Sequence, residues 1–177
     1  PNPSVDTEIT DEFQQVLDLL SVATPPVVFV TGSAGTGKST LIDVLRHELD
    51  KNLVVVAPTG VAALNVQGQT IHSLFQLPPG PQPRAKRIAG AAKDVVEKME
   101  VLVIDEVSMV RADLLDAIDD SLRLNTGRAG APFGGKTLVL VADMHQLPPV
   151  VAGVEEQRLF EEAYESPYFF SAMSLRE

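Results

Sequence analysis

The run Gly32-Ser33-Ala34-Gly35-Thr36-Gly37-Lys38-Ser39 has the types and spacing of a phosphate loop, G-x-x-x-x-G-K-[ST]. Glycines let the backbone curl so that successive N–H groups point inward at phosphate oxygens. A helix that opens at the loop adds the positive end of its dipole. Lys38 is placed to reach the outer phosphates, and the Ser39 hydroxyl to bind Mg²⁺, with Thr40 beside it in the first turn. The competing reading is a chance Gly-rich turn. The apolar run Val27 to Thr31 before the loop and the helical pattern after it favour the phosphate loop.

A second signal is Val101-Leu102-Val103-Ile104-Asp105-Glu106, four apolar residues ending in two carboxylates. A strand of that kind is buried, so the acids at its end are not casual surface charges. Asp105 suits a Mg²⁺-holding role opposite Ser39, and Glu106 suits a general base for an attacking water. The alternative is a pair of acids capping the next helix. A third apolar run, Thr137 to Ala142, leads into Asp143-Met144-His145-Gln146-Leu147-Pro148-Pro149. The neutral amide of Gln146 can contact a γ-phosphate and sense its loss; the alternative is a structural turn.

Ala57-Pro58-Thr59-Gly60-Val61-Ala62-Ala63 follows another apolar run, Leu53 to Ala57. Its small residues, Thr hydroxyl and helix N–H groups suit a ledge for a second phosphate-rich partner. Thr70 and His72, in Gln69-Thr70-Ile71-His72-Ser73, offer further donors, although a lone histidine is more often structural. Arg84, Lys86 and Arg87 form one local basic cluster, with a solvated loop as the competing reading.

The elements that must position these groups follow from periodicity. Ile9 to Leu20 reads as an amphipathic helix with Thr10 as its N-cap. A helix is expected from Lys38 to Leu49. Gly60 to Phe75 reads as mostly helical with a break near Gly68, and Arg111 to Leu124 as a helix. Leu77 to Arg87 is Pro-rich and reads as an excursion, Asn125 to Gly135 as a Gly-rich loop. The acidic tail from Glu155 holds Tyr168, Phe169 and Phe170, which suit one more short packed element. Apolar strands alternating with helices imply an α/β fold, a parallel sheet covered on both faces, with ligands at the carboxyl ends of its strands.

The 177 residues suit one domain. A hydrophobic fraction of 45% with 21% charged residues excludes a disordered chain. Cysteine is absent, which removes disulfides, thiolate metal sites and Cys nucleophiles. The N-terminal PNPSVDTEIT lacks the basic and apolar regions of a secretory signal, and no run is long enough to cross a membrane. The formal net charge of −10 argues against a globally basic nucleic-acid face and reads as a solvated acidic surface. A nucleic-acid site must then be a local groove.

In this order, GSAGTGKST, APTGVAALNVQGQTIHSLF, VLVIDEVSMV and GGKTLVLVADMHQLPPV resemble the motifs of the Pif/RecD-like group of superfamily-one DNA helicases, the bacterial Pif-type above all. The resemblance runs from about Ile9 to the C-terminus. It implies a RecA-like P-loop NTPase fold, ATP and Mg²⁺ as cofactors, and 5′-to-3′ movement on single-stranded DNA at a duplex junction. It implies phosphate binding by Gly32 to Thr40, including Ser33, Ala34 and Thr36. It assigns metal and water activation to Asp105 and Glu106, and γ-phosphate sensing to Gln146. It implies DNA contacts at Pro58, Thr59, Thr70 and His72, and a strand-separating wedge in the excursion from Leu77 to Lys93.

Many relatives read adenine with a Gln after the acidic pair of the first helix. Here that position is Phe13, and Gln14 is the nearest amide to take the role. The family's third motif usually begins Gly-Asp, and here Ala142 precedes Asp143. The family's second RecA-like domain, which carries arginine fingers, is expected to lie outside these 177 residues. The expected protein is a cytoplasmic, monomeric helicase, this chain being its first motor domain. The alternatives are a small-molecule phosphotransferase, for which no Arg-rich lid is visible, and a non-catalytic ATP-binding interaction module.

Overall fold

Four apolar runs and one short polar strand form a five-stranded parallel sheet. The computed structural model describes residues 10–22, 27–32, 35, 37–143, 145 and 148–176. Its strands are β1 (Val27–Thr31), β2 (Leu53–Ala57), β3 (Gln69–Thr70), β4 (Val101–Ile104) and β5 (Thr137–Ala142). They lie in the order β1-β5-β4-β2-β3, every neighbouring pair parallel. Every residue of β4 and β5 is buried, as a strand covered on both faces requires.

Side chains alternate across the sheet with period two. Val101 and Val103 join Val55, Val139 and Val141 on one face, under α1 (Asp11–Val22) and α2 (Lys38–Glu48). Leu102 and Ile104 join Val56, Leu138 and Leu140 on the other. That face is covered by α4 (Ile71–Phe75), α5 (Ala91–Lys98) and α6 (Ala112–Thr126). The chain also forms α3 (Gly60–Asn65) after β2 and α7 (Gly153–Ala163) after β5.

Several elements differ from the sequence expectation. The stretch Gly60 to Phe75 is not one broken helix but α3, β3 and α4 in succession. Gly68 explains the break, because a Cβ there would lie 2.5 Å from the Val55 carbonyl oxygen. Only a glycine lets this turn come so close to β2. Gly68→Ala is expected to cost about 1–3 kcal/mol, the range for an overpacked site, read as a lower midpoint in thermal or urea unfolding.

No element is expected between Arg87 and Val101, yet α5 forms there. Its signal is short: Ala92, Val95, Val96 and Met99 recur at helical spacing and pack on the core. The acidic tail is helical as α7, with Glu155 and Glu156 in its first turn, where the helix dipole favours negative charge. Phe169 is buried and its ring lies 5.5 Å from that of Phe29, so the aromatic tail does pack. Asp116 of α6 pins the same tail by accepting from the Tyr164 hydroxyl at 2.8 Å and from the Ser174 N–H at 2.8 Å. Burial and that carboxylate push the Tyr164 phenol upward from its usual range.

The acidity is not all surface. Asp105, Asp113, Asp119, Asp143 and Glu156 are buried. Asp143 lies 3.8 Å from the Lys38 ammonium, and three others are paired elsewhere. Asp119 pairs with Arg123 at 2.7 Å. Arg111, at the start of α6, pairs with Asp113 at 3.0 Å and with Glu156 of α7. The same guanidinium donates to the Gly80 carbonyl at 2.8 Å, and Asp113 accepts from the Gln82 N–H at 2.8 Å. The Pro-rich excursion is thus tied to the core by buried ions. Asn125 adds two bonds, to the Ile88 N–H and the Lys86 carbonyl. Arg111→Met would leave two carboxylates without their cation. Loss of one partner from such a buried cluster costs about 3–5 kcal/mol, so a large drop in melting temperature is expected. An unchanged melt would show that the cluster is not closed in solution.

Candidate functional site

Because all five strands are parallel, their carboxyl ends lie on one side of the sheet. The loops that carry the motifs leave from there in a row. Gly32 follows β1, Asp143 follows β5, Asp105 and Glu106 follow β4, Pro58 and Thr59 follow β2, and Thr70 ends β3.

The phosphate loop has the backbone its glycines allow. Gly35 and Gly37 have φ of 80° and 88°, values that L side chains resist. Gly37 is the N-cap of α2, its carbonyl accepting from the Leu41 N–H at 2.8 Å. The Gly32 N–H donates to the Ala142 carbonyl at 3.2 Å, which fixes the start of the loop against the end of β5. Ser39 and Thr40 occupy the first turn of α2, Ser39 exposed and Thr40 half-buried. Ser33, Ala34, Thr36 and Gln146 lie outside the described residues.

Lys38 is held at the centre. Its ammonium donates to the Gly32 carbonyl at 2.6 Å and lies 3.8 Å from an oxygen of Asp143. Asp143 in turn accepts from the His145 N–H at 3.0 Å. Asp143 stood in the sequence as part of a motif and not as a site residue. Its signal is the one that singled out Asp105, a carboxylate directly after a wholly apolar strand.

Asp105 and Glu106 are in the same cluster. Burial raises the Asp105 carboxyl above its usual range, against the hydrogen bond from the Glu106 backbone and the charge of Lys38. Glu106 is also raised, first by burial, then by the charges of Asp105 and Asp143, with Lys38 opposing. The carboxylate oxygen Oε2 of Glu106 is buried and has no hydrogen-bond partner. Its backbone is left-handed, φ 52° and ψ 38°, a strained conformation for a non-glycine residue. Three carboxylates facing one ammonium, with an orphaned oxygen among them, suit an incoming cation. The oxygens of Asp105 and Glu106 and the Ser39 hydroxyl are hard donors of the kind Mg²⁺ takes. Among the described residues no group of three or more His, Cys, Asp or Glu could hold a metal ion by itself.

A cleft of about 410 Å³ opens beside Lys38 and Gly32. Thr10, Phe13, Val16, Val30, Thr31 and Leu41 line it, and α1 forms its outer wall. Gln14 does not line it. Its amide donates to Asp18 at 2.8 Å on the exposed side of α1. Successive helical residues point about 100° apart, so Phe13 facing the phosphate loop turns Gln14 away from it. In this structure the Gln14 amide is engaged by Asp18, and Phe13 is the residue that faces the cleft.

The four candidate DNA contacts fall into two kinds. The Thr59 hydroxyl accepts from the Ala62 N–H at 3.2 Å and caps α3, and the Thr70 hydroxyl accepts from the Ser73 N–H at 3.2 Å and caps α4. Each hydroxyl still has its own proton to donate. Pro58 is half-buried beside Thr59. His72 is half-buried as well, and burial and then the Arg111 charge lower its pKa, so it is a neutral imidazole near pH 7. Arg84, Lys86 and Arg87 are exposed.

The model of the PIF1-like helicase family matches residues 5–175. The chain belongs to this family. It is 41% identical over 148 residues to an ATP-dependent DNA helicase PIF1 of Emericella nidulans, covering 75% of this chain and 19% of that relative. It also resembles the Bacteroides Pif1 bound to single-stranded DNA, with a TM-score of 0.85 at 41% identity. That match covers 95% of this chain and 39% of the other. The Bacteroides Pif1 in complex with ADP-AlF4 gives the same values. This PIF1-like chain thus spans about a fifth of that curated relative's length and about two fifths of the solved chains. Its sheet and helices are the RecA-like P-loop fold of those helicases. No helix among the described residues is long and apolar enough to cross a membrane.

Proposed function

We propose that this chain is the ATP-binding first motor domain of a DNA helicase that moves 5′ to 3′ on single-stranded DNA. The observation that carries the proposal is the row of motif loops at one end of the sheet. The phosphate loop and the acids occupy one half of that row, and Pro58, Thr59 and Thr70 the other. A bound triphosphate and a bound DNA strand then share one rigid platform.

Lys38 leaves the Gly32 carbonyl and neutralises β- and γ-phosphate oxygens. The first-turn N–H groups of α2 bind the same oxygens. Ser39 and Asp105 would hold Mg²⁺, which would supply charge neutralisation at the phosphates. Glu106 accepts a proton from water as the water oxygen bonds to the γ-phosphorus. The bond from that phosphorus to the bridging oxygen breaks, giving ADP and phosphate. Gln146 contacts the γ-phosphate and registers its departure. Pro58, Thr59, Thr70 and His72 face the DNA backbone, with His72 as a neutral donor. The excursion at 77–93 serves as the strand-separating wedge, and a second motor domain completes the site. The protein works as a cytoplasmic monomer.

The test is phosphate release from ATP by the full-length gene product. Single-stranded DNA is expected to stimulate it many-fold. Turnover indifferent to DNA would count against a DNA motor and favour a phosphotransferase or a stand-alone ATPase.

A further inference from the structure

The cleft beside the phosphate loop has a composition that bears on which nucleotide the site takes. Its α1 wall presents the ring of Phe13, whose Cζ would lie 3.2 Å from a Cβ built on Gly37. Val16, Val30 and Leu41 complete an apolar lining. The polar side chains that line it are Thr10, Glu12, Thr31 and Lys38. The Thr10 hydroxyl already accepts from the Phe13 N–H at 3.3 Å. The nearest amide, Gln14, is bonded to Asp18 outside the cleft.

Adenine is told from guanine by a donor and an acceptor presented together, as a side-chain amide presents them to N6 and N7. Among the described residues no amide side chain lines this cleft. A carboxylate such as Glu12 accepts from the adenine amino group or from the N1 and N2 hydrogens of guanine, so it does not exclude guanine. Aromatic and apolar walls hold either purine, since every base has a π-face. Selectivity built on burial alone is weak compared with selectivity built on paired hydrogen bonds.

We infer that Phe13 sets a purine-tolerant base subsite, so that this protein binds ATP and GTP with similar affinity. The inference rests on the nucleotide-site reading above and specifies its base pocket. The triphosphate is gripped by the loop and Lys38, and the base rests on Phe13 and Val16 without being read.

The experiment is calorimetric titration of the 177-residue chain with MgATP and with MgGTP, for the wild type and for Phe13→Gln. The expected wild-type dissociation constants agree within about threefold, and Phe13→Gln favours ATP by about tenfold or more. A wild-type preference for ATP of tenfold or more overturns the inference, whether or not Phe13→Gln folds. Equal wild-type binding that Phe13→Gln leaves equal removes Phe13 as the determinant and overturns it too. Binding of neither nucleotide overturns the nucleotide-site reading itself, and the inference with it.

Discussion

Glu106→Gln is expected to abolish ATP hydrolysis by the full-length gene product while leaving ATP binding intact. The fall in kcat should be about 10²- to 10⁴-fold, the usual contribution of a positioned general base. An amide has the size of the carboxylate but cannot take a proton from water. Lys38, the phosphate loop and Asp105 are untouched, so the affinity for MgATP should hold or improve as one negative charge is removed.

The same substitution should stabilise the ligand-free protein, and the sign follows from the raised pKa. Burial and the charges of Asp105 and Asp143 make the folded state hold the Glu106 proton more tightly than the unfolded chain does. The stability this contributes is full below the ordinary glutamate pKa, near 4.5, and is lost as pH rises through the raised value. At pH 4 wild type and Glu106→Gln should melt alike. At pH 7 to 8 the variant should melt higher. A variant that melts lower at pH 8 would mean that Glu106 has a partner in solution that the structure lacks. Such a gain in stability with a loss of activity is the expected behaviour of a strained catalytic position. The left-handed backbone at Glu106 fits the same description.

The second large effect is expected at Lys38. Its ammonium meets the Gly32 carbonyl at 2.6 Å and the Asp143 carboxylate at 3.8 Å. Lys38→Ala removes the cation that faces Asp105, Glu106 and Asp143. A hydrogen bond to a charged group contributes about 1.5–3 kcal/mol, so ATP affinity should fall by roughly 10- to 150-fold. The loss should be smaller for ADP, which lacks the γ-phosphate. Equal losses for ATP and ADP would place Lys38 away from the γ-phosphate. Titration of both nucleotides into both proteins measures the difference.

These groups were legible in the sequence because each sits where an apolar strand stops. The strands β1, β2, β4 and β5 are uninterrupted apolar runs, and a buried parallel strand leaves little else for such a run to be. Three features were hidden. The two-residue β3 has no period to detect and depends on Gly68 fitting against Val55, a contact made only in the folded chain. The helix α5 is short and follows a Pro-rich stretch, so its apolar stripe is two turns at most. The facing of Phe13 and Gln14 depends on the rotation of α1 about its axis, which adjacent residues in a sequence do not reveal. The acidic composition misled in a different way. Read as solvated surface, it concealed buried acids, some of them in the site, as Asp105 and Asp143 are, and some paired within the fold, as Asp113, Asp119 and Glu156 are.

The central claim, that the acids and the phosphate loop power movement along DNA, meets its most direct test in strand separation by the full-length gene product. Two labelled duplexes are compared, one with a single-stranded 5′ tail and one with a 3′ tail, with ATP and Mg²⁺ present. The account predicts that the 5′-tailed duplex is unwound, that the 3′-tailed duplex is not, and that Glu106→Gln unwinds neither. Equal unwinding of both duplexes, or unwinding that persists in Glu106→Gln, would contradict it.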